Sequence, residues 1–125
     1  LGGVLGATLR PGIDAVLDAV NFERLLAGVD LVVTGEGRID GQSVRYGKVP
    51  AGVARRCGAR GIPVVALVGG MGEGAEELYA LAPSSMITTI NAAMPIEHAL
   101  RDARALFAGA ADRMFRMLEI GMRLK

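Results

Sequence analysis

Tryptophan is absent from this sequence, cysteine and histidine occur once each (Cys57 and His98), and aromatic residues make up only 4% of it. Each scarcity excludes something. One cysteine forms no intramolecular disulfide, and with a single histidine it cannot complete a structural zinc site, so a reducing, cytoplasmic setting is expected. Few aromatic rings leave little for nucleic-acid bases to stack on. Fourteen basic against thirteen acidic side chains leave a net charge of +1, too weak a field to draw in nucleic acid or an anionic membrane. Charges, glycines or prolines interrupt every apolar stretch well short of the roughly 20 residues of a membrane-spanning helix. An initial methionine is missing as well: Leu1 leads straight into Gly-Gly-Val-Leu-Gly-Ala-Thr-Leu9, without the charged start of a signal peptide. Part of a longer protein is therefore expected.

What is present, 51% hydrophobic residues among 125, suffices for one folded α/β domain over residues 1–125 with a core of Val, Leu, Ile, Ala and Met. Pro11 suits a first helical position, and Ile13, Val16, Leu17 and Val20 follow on one helical face. Asn21 is placed to cap a short turn carrying Phe22, Leu25 and Leu26, with Gly28 as a left-handed stop. Continuous apolar runs at 31–34, 62–68 and 86–90 read as buried strands. Pro50 restarts a helix with Val53, Ala54 and Cys57 on its apolar face, and a short helical stretch carries Ala75, Leu78 and Leu81. Pro95 opens a long one with Ile96, Ala99, Leu100, Ala103, Phe107, Ala110, Ala111, Met114, Leu118 and Met122 in a stripe. The arginines at 101, 104, 113 and 116 and the acids at 102 and 112 give that helix a solvated face. Arg123 and Lys125 suit its carboxyl end.

Strand and helix alternate three times, which predicts a three-layer, parallel, Rossmann-like or flavodoxin-like sheet with helices on both faces. Three strands are few against a mean of roughly five or six, so an incomplete part of a larger two-domain α/β enzyme is expected. In such a sheet the connections after Thr34, Val68 and Ile90 emerge at the carboxyl edge, where ligands bind.

The richest of these connections is Thr34-Gly-Glu-Gly-Arg-Ile-Asp40, continued by Gln42-Ser43 and Gly47-Lys48-Val49-Pro50. Read as a loop, Gly35 and Gly37 turn the backbone and present N–H groups to an anion, while Arg38 and Lys48 add positive charge. Glu36 and Asp40 suit a magnesium ion, or one carboxylate suits a general base. Phosphoryl transfer needs this mixture. The same residues also read as a solvated turn whose charges pair with one another. A second glycine-rich connection, Gly70-x-Gly72-x-x-Ala75, loosely matches a dinucleotide fingerprint without its distal acidic residue, and reads as a plain βα turn able to bind phosphate. Residues 41–48 miss the P-loop spacing by one residue and its Ser or Thr. His98 reads as a surface histidine and Cys57 as inert core.

The run Asp30-Leu-Val-Val-Thr-Gly-Glu-Gly-Arg-Ile-Asp40, with Gln42-Ser43, Gly47-Lys48-Val49-Pro50 and Gly52-Val53-Ala54, resembles the signature of the bacterial type I glycerate kinases. Arg10-Pro11-Gly12-Ile13-Asp14, the run 63–67 and Ile120-Gly121-Met122-Arg123 extend the similarity over essentially the whole chain. The resemblance implies ATP- and magnesium-dependent phosphorylation of D-glycerate, with 2-phosphoglycerate the favoured product. The positions that match the family motif are Gly35, Glu36, Gly37, Arg38, Asp40, Gln42 and Lys48; among them charge makes Asp40, Lys48 and Arg38 the candidate catalytic residues and Asp40 and Glu36 the candidate metal ligands. Gly35, Glu36, Gly37, Gln42, Ser43, Gly70 and Gly72 are the candidates for substrate or phosphate binding. The family is roughly three times longer, so the chain resembles its C-terminal third, inactive alone and partnered by the missing N-terminal part. A non-catalytic module binding a phosphorylated metabolite, and a homodimer formed through the apolar edge of an incomplete sheet, are the rival readings.

Overall fold

The computed structural model describes residues 12–124; the expected helix start at Pro11, the stretch 1–9 and Lys125 lie outside them. The three apolar runs form parallel strands β1 (Val32–Ile39), β2 (Val64–Met71) and β3 (Ser84–Thr88), in spatial order β1-β2-β3. Val32 faces Val64 across the first pair, and Val64 faces Ser84 across the second. Because successive strand side chains point to opposite faces, β2 feeds two cores. Val64, Ala66 and Val68 enter one cluster, while Leu67 and half-buried Val65 enter the other.

The first cluster is closed by α1 (Gly12–Ala19), α2 (Phe22–Leu25), α3 (Gly41–Arg45), α4 (Val49–Gly58) and a 3-10 helix (Ala75–Ala80), through Leu17, Leu26, Val44, Ala54, Cys57 and Leu78. After β3 the chain forms α5 (Ile96–Arg101) and α6 (Ala103–Arg123), and α6 lays Ala110 and Met114 on the opposite face. Helices therefore cover both faces of a parallel sheet, the three-layer arrangement read from the alternation. Both strand-to-strand connections run over the first face, so the strands follow one another in order and all three carboxyl ends share one edge.

The main departures from expectation lie where pairing between distant residues overrides local composition. Residues 35–39, read as a loop, continue β1, because β2 offers partners up to Arg38↔Gly70 and Ile39↔Met71, and fully buried Ile39 anchors the end. Gly35 and Gly37 are thus strand residues, not a turn. Residues 69–71 likewise extend β2, and a side chain on Gly69 would lie 2.5 Å from the Gly37 carbonyl oxygen, so glycine permits the close approach of the two strands.

The long terminal helix breaks at Asp102, whose backbone (φ −100°, ψ 16°) ends α5 and starts α6. The middle of its expected stripe holds, with Ala110 and Met114 buried and Ala111 and Leu118 packed against them, whereas Ile96, Leu100, Phe107 and Met122 are exposed and Leu106, outside the stripe, is buried. Asn21 enters α2 in the left-handed conformation (φ 55°) and makes no side-chain cap. Gly28 adopts the expected positive φ of 77°.

Candidate functional site

Backbone hydrogen bonds stitch the carboxyl edge of the sheet. Gly72 N–H donates to the Ile39 carbonyl at 2.7 Å, Gly41 N–H to that of Glu73 at 2.9 Å, and Thr89 N–H to that of Val68 at 2.9 Å. The segments following β1, β2 and β3 are thereby held side by side.

Asp40 ends β1 and caps α3. Its Oδ1 accepts from the Ser43 backbone N–H at 2.9 Å and from the Ser43 hydroxyl at 3.1 Å. The Asp40 N–H points back to the Ser43 Oγ, completing a capping box. Residues 41–45, read as loop, are helical for this reason. Arg38 Nε lies 3.9 Å from Asp40 Oδ2. The Ser43 bonds first, and the Arg38 charge after them, hold the Asp40 carboxyl below the usual carboxylate range. A group held ionised in this way suits charge stabilisation or metal ligation better than proton abstraction near neutral pH. Ser43 is buried with its hydroxyl engaged by Asp40. Gln42 joins Asp40, Arg45, Glu73 and Glu77 around a hollow of about 470 Å³, where Arg45 pairs with Glu77 at 3.1 Å.

Glu36 and Lys48 both line a different hollow, of about 270 Å³, together with Gly12, Ile13, Tyr46, Gly47 and Val49. Gly47 adopts φ 66°, and the Lys48 N–H returns to the Ser43 carbonyl at 2.9 Å, which sets Lys48 at the N-cap of α4. No side chain caps that terminus, and Pro50 stands in the first turn, so the positive end of the helix is left open at Lys48. Glu36 accepts from the Gly37 N–H at 2.9 Å. That N–H, expected to face an anion, is already engaged.

A third hollow, of about 370 Å³, lies over the strand ends on the α5–α6 face. Gly37, Gly70 and Arg38 contribute to it together with apolar Ile90, Met94 and Leu100. Gly70 thus sits at an apolar wall. Gly72 does something else: a Cβ there would lie 2.5 Å from Arg38 Nη2 and 3.0 Å from the Asp40 Cβ, so glycine at 72 gives the Arg38–Asp40 pair its room. Gly35 faces Phe107, whose ring edge would be 3.6 Å from an added Cβ.

Arg38 stands beside Asp40, Glu36 and Lys48 line one hollow, and Asp40 lines another. No three metal-ligating side chains converge among the described residues. Magnesium in phosphoryl-transfer sites takes one or two carboxylates plus phosphate oxygens, and Asp40 Oδ2 fits such a role. For ATP phosphates the fitting groups are Lys48, at an open helix N-terminus, and Arg38. His98 is exposed, and Cys57 is fully buried, its thiol pushed up by burial and by the nearby Glu23 charge.

Sequence reading missed Arg56. From α4 its guanidinium donates to Asp18 Oδ1 at 2.8 Å, to Glu23 Oε1 at 2.9 Å, and to both the carbonyl and Oδ1 of Asp14 at 3.2 Å. The available signal was an acidic residue at each of 14, 18 and 23 in the two helices that precede β1.

A family model described as the glycerate kinase family matches residues 1–119. The glycerate kinase of Halalkalibacterium halodurans is 39% identical over 107 residues, covering 86% of this chain and 28% of that protein. The glycerate 2-kinase of Escherichia coli is 34% identical over 119 residues, covering 95% of this chain and 31% of that protein. A crystal structure described as a glycerate kinase 2 from Salmonella typhimurium LT2 superposes with a TM-score of 0.67 at 35% identity. It matches 95% of this chain, which in turn covers 30% of it. The chain thus spans less than a third of the length of these relatives.

Proposed function

The chain belongs to the glycerate kinase family, and from that premise we propose that it supplies one wall of the active site of an ATP- and magnesium-dependent D-glycerate kinase. The relative named glycerate 2-kinase favours 2-phosphoglycerate as the product. The rest of the site comes from the portion of the family fold that this chain does not span, and the enzyme works in the cytoplasm. The observation that carries the reading is that Glu36 and Lys48 line one hollow and Arg38 stands by Asp40 beside the carboxyl ends of parallel strands, where open α/β sheets bind ligands.

Roles follow from the geometry. Lys48 and the open end of α4 attract an anion, a phosphate or the glycerate carboxylate. Glu36 lines the same hollow, its carboxylate held by the Gly37 N–H. Arg38 offers a mobile guanidinium to phosphate oxygens and keeps Asp40 ionised. Asp40 in turn presents one carboxylate oxygen for magnesium, the other being engaged by Ser43. Bound ATP and magnesium supply the phosphoryl group and the charge that offsets its developing negative charge.

ADP release coupled to D-glycerate, measured on the intact polypeptide carrying these residues, tests the reading. Lys48→Met lowers kcat/KM by about 100-fold or more, the scale for losing one preorganised charge, and Asp40→Asn raises the magnesium requirement. Wild-type rates in both variants would overturn the assignment. Tight calorimetric binding of a sugar phosphate without turnover favours a non-catalytic module instead.

A further inference from the structure

Arg56 touches neither the Glu36–Lys48 hollow nor any sheet residue named at the strand ends, yet it holds Asp14 and Asp18 of α1, the helix whose first residues, Gly12 and Ile13, line that hollow. Gly52 and Arg56 stand four residues apart on α4 and so share a face. Gly52 lets Ile13 in: a Cβ there would lie 2.5 Å from the Ile13 Cγ2. One turn on, Arg56 grips the next residue of α1 by both its carbonyl and its carboxylate, and then holds Asp18 and Glu23. With only 15% of its side chain exposed, the guanidinium has little freedom to choose other partners. Gly12 and Ile13, in the first turn of α1, line the same hollow as Lys48 and Val49 at the start of α4.

We propose that Arg56 is a positioning residue: by clamping α1 across α4 it sets where Gly12 and Ile13 stand in the hollow they share with Lys48, and so the fit of the anion held there. The inference rests on the reading of that hollow as the anion site of the kinase. Arginine suits the task, because five fixed donors serve three carboxylates and a carbonyl at once, and the three donors of a lysine do not.

The test is steady-state kinetics on the intact enzyme for Arg56→Met, Arg56→Lys, Asp14→Asn, Lys48→Met and the Lys48→Met/Arg56→Met pair. Arg56→Met raises the KM of one anionic substrate about tenfold with kcat little changed, a loss of ground-state fit. Arg56→Lys and Asp14→Asn give smaller rises in the same KM. In the double variant Arg56→Met adds nothing to the KM set by Lys48→Met, because the clamp acts through Lys48. A purely structural arginine would lower active enzyme and kcat, leave KM in place and multiply with Lys48→Met; that pattern overturns the inference. If Arg56→Met does not fold, Arg56→Lys and Asp14→Asn decide, unchanged KM in both overturning it. An unimpaired Lys48→Met overturns the anion-site reading and the clamp with it, whereas an impaired Lys48→Met beside wild-type KM in the Arg56 variants overturns the clamp alone.

Discussion

At the scale of single residues, the site motif spends many of its polar groups on its own architecture. Asp40 is the clearest case, with Oδ1 satisfied by Ser43 and its pKa lowered chiefly by those bonds. A lowered carboxyl pKa stabilises the folded state fully above the unfolded value near 4, and that contribution is lost as pH falls through the lower folded value. Asn is as good a cap as Asp but does not titrate. The difference in melting temperature between the protein and its Asp40→Asn variant is therefore largest at pH 5–7 and shrinks on acidification, as thermal unfolding from about pH 7 to 2 would register; a pH-independent difference would refute it. Gly58 makes a second prediction, since a side chain there would run into the Leu81 carbonyl on the way into β3. Gly58→Ala costs about 1–3 kcal/mol or more by overpacking, measurable by urea titration.

At the scale of elements, stability resides where the helices meet the sheet. Leu78, from the 3-10 helix, is fully buried among Val64, Ala66 and Cys57, so Leu78→Ala costs about 2–5 kcal/mol. The Arg116–Asp112 pair on α6 is exposed at both ends, and Arg116→Ala changes stability by no more than about 0.5 kcal/mol in the same denaturation experiment. These elements were legible because a parallel strand buried on both faces is written as an unbroken apolar run, as Val64 to Val68 is. Glycine and charge concealed the second half of β1, since what makes Arg38 and Ile39 strand residues is the ladder to Gly70 and Met71. The Asp40 capping box sat in the sequence as Asp-x-x-Ser, but within a presumed loop it had no helix to start. Two facts stayed out of reach. The separation of Glu36 from Asp40 depends on which side of a strand and a helix each faces, and the Arg56 cluster joins residues 33 to 42 positions apart.

At the scale of the whole molecule, the described residues leave several apolar surfaces uncovered. Among the described residues β1 is an edge strand, with Val33 42% exposed, and open edges are templates for further pairing. Phe115 and Met122 stand seven residues apart on one face of α6, at 60% and 80% exposure, while Ile96 and Leu100 on α5 are each 70% exposed. Apolar faces of this kind mark interaction surfaces, and the relatives, of which the chain covers 28% and 31%, have ample further polypeptide to cover them. Among the described residues nothing covers these faces, and in the isolated chain a second copy is a partner for them. Light scattering is therefore expected to give a mass above 13.0 kDa that rises with concentration. Replacing Phe115 and Met122 together by Asp brings the mass back toward the monomer while the far-ultraviolet circular dichroism stays that of an α/β fold. A monomeric mass at every concentration would mean that the α6 face is stable in water, and that the family fold does not depend on covering it.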